Sequence, residues 1–409
     1  MAKIKEILAF EVLDSRGNPT VAVRVDLDDG SNGLAFAPSG ASTGKYEAYE
    51  LRDMENERYG GKGVLKAVGF VNSFINERLC GANTDQREID RFLTELDGTE
   101  NKSHMGANAL LATSLAVARA AAASYGIPLF RYLGGIYPHG MPTPCMNILN
   151  GGAHSSNNLD IQEFMIVPTE TKNFAEAVRY GSEIYHKLGE LLRARGKSTA
   201  VGDEGGFAPD LKDDREALNF ICEAIEKSGH AGGGVKLALD IAASEWYKDG
   251  LYHLPKQNKT MQSEELVDYI DSLCHEFPII SVEDGMGEDD FGGWQALTDR
   301  LSNEIMLVGD DLFVTNPERL KKGLELGMGN AILIKPNQIG TLTETMDVIA
   351  LAHQNKYKAM ISHRSGDTED TFIADLAVAT CSPYIKTGAP CRSERVAKYN
   401  RLIMIEKDK

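Results

Sequence analysis

Val235-Lys-Leu-Ala-Leu-Asp240 is a short apolar run that stops on an acid, and it is not alone. "IISVED" ends on Glu283 and Asp284, "IMLVGDD" on Asp310 and Asp311, "AILIK" on Lys335, "AMISHRS" on His363 to Ser365, and "YIKTG" on Lys386. The steps from Asp240 through Glu283, Asp310, Lys335 and His363 to Lys386 are 43, 27, 25, 28 and 23 residues. A strand, a loop and a helix need about that length, and strands alternating with helices imply parallel βαβ units. Apolar segments such as Leu266 to Leu273 and Met346 to Ala352 supply the helices. Six or more such units predict an α/β fold of (β/α)₈-barrel type, with a doubly wound sheet as the alternative. In either fold the polar ends converge on one face.

The first part of the chain reads differently. Val21, Val23, Val25 and Leu27 alternate with polar or small residues, which predicts a half-buried strand. With Ile4 to Val12 and Gly33 to Ala37 it makes an antiparallel meander. Helices are expected after the Thr84-Asp85 cap, through Ile89, Phe92, Leu93 and Leu96, and over Met105 to Tyr125. The Gly- and Pro-rich "GGIYPHGMPTP" from Gly134 marks a boundary. We therefore expect a smaller α+β domain over 1–134 and a catalytic barrel over 142–409.

The net charge of −17 argues against nucleic acid or an anionic membrane as the main partner. No signal-peptide core develops at the start, and the apolar stretch Ala109 to Ile127 carries Arg119 and hydroxyl residues, so it is expected to be a buried helix rather than a membrane span. Six scattered cysteines without a C-x-x-C pair suggest reduced thiols in a cytoplasmic protein.

Three carboxylates at one mouth, Asp240, Glu283 and Asp310, repel each other unless a cation sits between them, and oxygen-only ligands suit Mg²⁺. Solvated loop acids or helix caps are the plainer alternative. Asp284 and Asp311 are expected to support these ligands or to cap helices. Lys335, half buried beside a metal and Lys386, should have a lowered pKa and could act as a base; a salt bridge to a carboxylate is the competing reading. Arg364 and Ser365 can grip an anion, with His363 next to them. Asp203 and Glu204 lie in the Gly-rich "VGDEGGFAPD", His154 in "NGGAHSSNN", and Gln162 and Glu163 inside the strand-like "DIQEFMIVP". Polar groups in such a run are costly to bury without partners.

"PSGASTGKYE", Pro38 to Glu47, resembles a nucleophile elbow and a phosphate loop, but fits neither. The spacing between its glycines is one residue short for a phosphate loop, and a meander precedes it where an elbow needs a strand–turn–helix.

The order of "EVLDSRGNPTV", "PSGASTG", "NGGAH", "QEFMI", "GDEGGFAP", "LALD", "SVEDG", "VGDDLFVTN", "LIKPNQIGT", "SHRSGDTED", "IKTGAP" and "RVAKYNRL" resembles the enolases over nearly the whole length. The resemblance implies a modified (β/α)₈ barrel whose early strands depart from parallel order. It implies reversible dehydration of 2-phosphoglycerate, a small phosphorylated three-carbon acid, with two Mg²⁺ per site. Asp240, Glu283 and Asp310 match ligands of the first Mg²⁺, and Ser42 a ligand of the second. Lys335 matches the base, and Glu204 the acid with Glu163 close by, a pair in which repulsion would raise the pKa of Glu204. Lys386 matches a carboxylate contact, Arg364 and Ser365 phosphate contacts, and His154, Gln162 and His363 further substrate contacts. A homodimer or octamer is implied, with an added binding role in an RNA-processing assembly or in a secondary cell-surface or secreted pool, but no direct nucleic-acid binding or membrane insertion. Other proton-abstracting enzymes of the wider superfamily are the alternative activity. Two departures stand out: Asp367 where Glu is usual, which should lengthen or remove an ion pair, and Ser155-Ser156.

Overall fold

The computed structural model describes residues 2–40, 45–136 and 140–408. Strands β1 (Ile4–Leu13), β2 (Pro19–Leu27) and β3 (Asn32–Phe36) form the expected antiparallel meander. Val21, Val23, Val25 and Leu27 are buried, but β2 is not half-exposed throughout. From Pro19 to Val23 both faces are covered, and only the second half alternates. Thr20 is tolerated inside because its hydroxyl donates to the Ala37 carbonyl at 2.6 Å.

Helix Ala107–Ser124 is buried along almost its whole length. It crosses so close to β3 that a Cβ on Gly33 would lie 2.3 Å from the Ala116 carbonyl oxygen. The Ala-rich composition read as a buried helix serves this close approach. Among the described residues no helix is long and apolar enough to cross a membrane. Helix Gln86–Asp97 begins where expected, with the Asp85 side chain accepting from Glu88 N at 3.1 Å.

The remaining chain closes an eight-stranded barrel from β4 (Thr143–Asn150), β5 (Glu163–Pro168), β6 (Val235–Asp240), β10 (Ile279–Glu283), β11 (Met306–Gly309), β12 (Ala331–Ile334), β13 (Lys358–Ser362) and β14 (Tyr384–Lys386). A small sheet of β7 (Tyr247–Lys248), β8 (Leu251–Leu254) and β9 (Lys259–Met261) follows β6. That insertion explains the 43-residue step, which is too long for one ordinary βα unit. The strand β5 runs antiparallel to both β4 and β6, and the other neighbours are parallel. The doubly wound alternative is thereby excluded.

Strand alternation explains how the mouth is built. Met165, Val167, Ala238, Val308, Leu333 and Met360 belong to one buried apolar cluster. Two positions further along the same strand rows come Asp240 after Ala238, Asp310 after Val308 and Lys335 after Leu333. On the reversed β5 the same row reaches Glu163 two positions before Met165. Six strands therefore end in, or one residue before, the polar groups singled out in the sequence: Asp240, Glu283, Asp310, Lys335, His363 and Lys386.

Candidate active site

A pocket opens at this mouth. It is lined by His154, Gln162, Glu163, Glu204, Asp240, Asp310, Lys335, His363, Arg364, Ser365 and Lys386, together with Ala242, Glu245, Asp284, Asp311 and Ser362. Every site residue expected from sequence is brought here or borders it, except Ser42, which lies outside the described residues.

Two lysines organise one wall. Lys386 Nζ donates to Asp240 at 2.9 Å and to both oxygens of Glu283 at 2.8 Å, with Glu163 at 3.2 Å. Lys335 Nζ is paired with Asp310. Burial opposes the charge on Lys386, but Asp240, Glu163 and Glu283 hold its pKa well above the ordinary value. Lys335 departs from the sequence expectation. Burial pulls its pKa down, and Arg364 and Lys386 add to that, yet the Asp310 carboxylate outweighs them and the pKa is raised. The geometry thus matches the salt-bridge reading of Lys335.

The three expected metal ligands are consequently held by lysines. The residues whose ligand atoms lie within 4.8 Å of one another, among those described, are Asp284 with Asp310 and Asp311, and His154 with Glu163 and Glu204. Asp284 is a backbone clamp: its two oxygens accept from Asp310 N at 2.9 Å and Asp311 N at 2.7 Å. Burial, then Asp311 and Asp310, push its pKa well up. The cavity lining carries seven acids against three cations, Lys335, Arg364 and Lys386. Five of these acids, Glu163, Glu204, Asp240, Asp284 and Asp310, are buried, and such a supply of oxygen donors fits a hard divalent cation.

The acid pair adjoins this wall, since Glu163 lies beside Lys386. Glu204 lies in a loop that packs tightly through glycine: a Cβ on Gly388, at φ +77°, would sit 2.8 Å from the Glu204 carbonyl. Asn147 Nδ2 donates to Glu204 Oε2 at 3.0 Å, and His363 Nε2 lies 3.3 Å from the same oxygen. His154 Nδ1 stands 3.5 Å from Glu163 and 3.9 Å from Glu204 Oε1. Burial and then Glu204 drive the Glu163 pKa well up, against Lys386. Burial also opposes ionisation of Glu204, but His363 and His154 outweigh it and hold its carboxyl well below the usual range. The expected repulsion is present, but it falls on Glu163, whose pKa is raised, rather than on Glu204.

At the anion end, Arg364 contacts Glu47 at 2.9 and 3.2 Å and Asn337 at 3.1 Å, while Ser365 Oγ lies 3.3 Å from His154 Nε2. Asp367 keeps its ion pair despite the shorter side chain, with Lys398 Nζ at 2.7 Å and Arg395 at 3.7 Å. The expected loss there does not occur, because Lys398 extends to meet it from helix Ser393–Asp408.

Sequence reading missed Glu47, Asn147, Gln338 and Arg395. Asn147 left a signal, a polar residue inside the apolar "PCMNIL". Gln338, which donates to Asp310 at 3.0 Å, left none.

A closed barrel with one reversed strand, a meander domain before it, and carboxylates facing lysines at the strand ends define a TIM-barrel protein with acidic groups that could hold a metal ion. The model for "Enolase, N-terminal domain" matches residues 4–133, and that for "Enolase, C-terminal TIM barrel domain" matches residues 138–409. The chain belongs to the enolase family.

Proposed function

We propose that the chain catalyses the reversible dehydration of 2-phosphoglycerate to phosphoenolpyruvate, with Mg²⁺ as cofactor. The observation that supports this reading is one cavity lined by two buried lysines, Lys335 beside Asp310 and Lys386 beside Asp240 and Glu283, and by the Glu163 and Glu204 carboxylates. Elimination of water needs a base for carbon and an acid for oxygen.

Lys335 would take the proton from the carbon beside the carboxylate, once its contact with Asp310 is relaxed. Lys386 stays cationic and stabilises the charge that develops on the carboxylate oxygens. Mg²⁺ held by Asp240, Glu283 and Asp310 would add positive charge at that carboxylate. Arg364 and Ser365 would hold the phosphate, with His154, Gln162 and His363 around the substrate. As the C–O bond breaks and its electron pair leaves with oxygen, Glu204 gives the departing hydroxide a proton, and water forms. An arriving polyanionic substrate would raise the Glu204 pKa toward the task. Ser42 as the ligand of a second ion rests on the family resemblance.

An absorbance assay for phosphoenolpyruvate tests this. Product should form with Mg²⁺ and cease with chelator. Absence of product in saturating Mg²⁺, or a Lys335→Ala variant as fast as the parent, would overturn it.

A further inference from the structure

Arg395 is completely buried, on helix Ser393–Asp408 behind the cavity wall. Its guanidinium joins the two loops that carry the acid side of the site. Nη1 reaches His363 Nδ1 and the Arg364 carbonyl, both at 2.5 Å; Nη2 donates to the carbonyls of Ser365 at 2.6 Å and Asp203 at 3.2 Å.

An arginine can only donate. His363 Nδ1 must therefore be the bare, accepting nitrogen, and the ring proton must sit on Nε2. Nε2 is fully buried and has no aligned partner within the protein; Glu204 Oε2 lies 3.3 Å away. Catalytic hydrogen bonds of this kind often tighten only when a ligand arrives. The same Oε2 already accepts from Asn147 Nδ2 at 3.0 Å. With Asn147 donating to Oε2 and the His363 Nε2–H facing it, Glu204 Oε1 is left as the oxygen able to carry a proton, on the side of His154 Nδ1.

We propose that Arg395 is a positioning residue: it fixes His363 as the neutral Nε2–H tautomer and thereby reserves Oε1 of Glu204 for the transferable proton. This rests on the reading of Glu204 as the acid, but its first half concerns only the ring of His363. An enzyme of different activity on this scaffold would keep the same tautomer.

The test is ¹⁵N NMR of the histidine side chains, with His363 assigned by comparison with His363→Gln. In the parent, His363 should show an unprotonated Nδ1 and a protonated Nε2, unchanged between pH about 5.5 and 8, the range in which an ordinary histidine titrates. In folded Arg395→Met that single tautomer should give way to a mixture, whereas Arg395→Lys, still donor-only, should retain it. A protonated Nδ1 in the parent, or an unchanged tautomer in Arg395→Met, overturns the proposal. Should Arg395→Met fail to fold, the parent spectrum decides alone. None of these readouts requires turnover, so failure of the dehydration assay is recognised separately.

Discussion

The Glu47 carboxylate, from the segment that follows the meander, enters the barrel mouth and meets the Arg364 guanidinium at 2.9 and 3.2 Å. Both side chains are buried. A buried pair stripped of one member leaves the other uncompensated, at a cost of about 3–5 kcal/mol. Glu47→Gln, which retains the hydrogen-bonding oxygen, should cost about 3 kcal/mol at the lower end of that range. The urea midpoint should fall with the slope unchanged. An unchanged midpoint would mean that other groups carry the Arg364 charge.

Lys335→Ala should lower kcat by about 10²–10⁴, the usual span for loss of a general base. Because Lys335 also neutralises Asp310, circular dichroism must show the variant folded. A rise in KM with kcat unchanged would assign Lys335 to binding instead.

Mg²⁺ that binds only the folded chain should raise its stability by about 2.7 kcal/mol at a hundredfold excess over Kd. Glu283→Gln should abolish most of that gain in a thermal melt without substrate. An equal gain in parent and variant would remove Glu283 from the ligand set.

His363 gives a signed pH effect. Burial, with Arg395 adding to it, pushes its pKa down to about 4 against the pull of Glu204. The unfolded chain, with an ordinary histidine near 6.5, binds the proton first. Stability is therefore complete above pH about 6.5 and lost as pH falls toward about 4, by roughly 3 kcal/mol from this group. His363→Gln should flatten that limb of the pH–stability curve. If the limb persists in full, another group titrates there. Asp367 acts lower: burial raises its pKa, but Lys398 and Arg395 hold it below the usual value. Its contribution is present above pH about 4 and disappears only below it.

Assembly as a homodimer or octamer belongs to the same reading, and light scattering on the purified chain checks it. A monomer at micromolar concentration would count against it.

The barrel was legible because its strands repeat one local pattern, an apolar run ended by a polar group, and strand alternation carries that pattern directly to Asp240, Asp310, Lys335 and Lys386. What the chain order hides is pairing across distance. Glu47 and Arg364 stand far apart in sequence, and nothing local marks Glu47 as buried. Arg395 sits among the charges of "CRSERVAK" and looks like a solvated helix face until packing covers it. The ionisation of Lys335 and of the Glu163–Glu204 pair was likewise misread. Residue types suggested the neighbours, but the sign of each shift depends on which neighbour lies nearest.

The reversal of β5 has an evolutionary consequence. In a regular barrel each mouth loop can lengthen or shorten without disturbing its neighbour, since every strand is reset by its own helix. Here residues 151–162 form the connection of a hairpin, and Glu163 is the first residue of the returning strand, opposite Asn150 and Asp240. A slip of one residue in that pairing would present Phe164 to the cavity and turn Glu163 outward. Insertions and deletions should therefore be tolerated poorly in this connection and better in the parallel loops. Variation in length across the mouth then becomes a map of which half of the site can be retuned for a different acid.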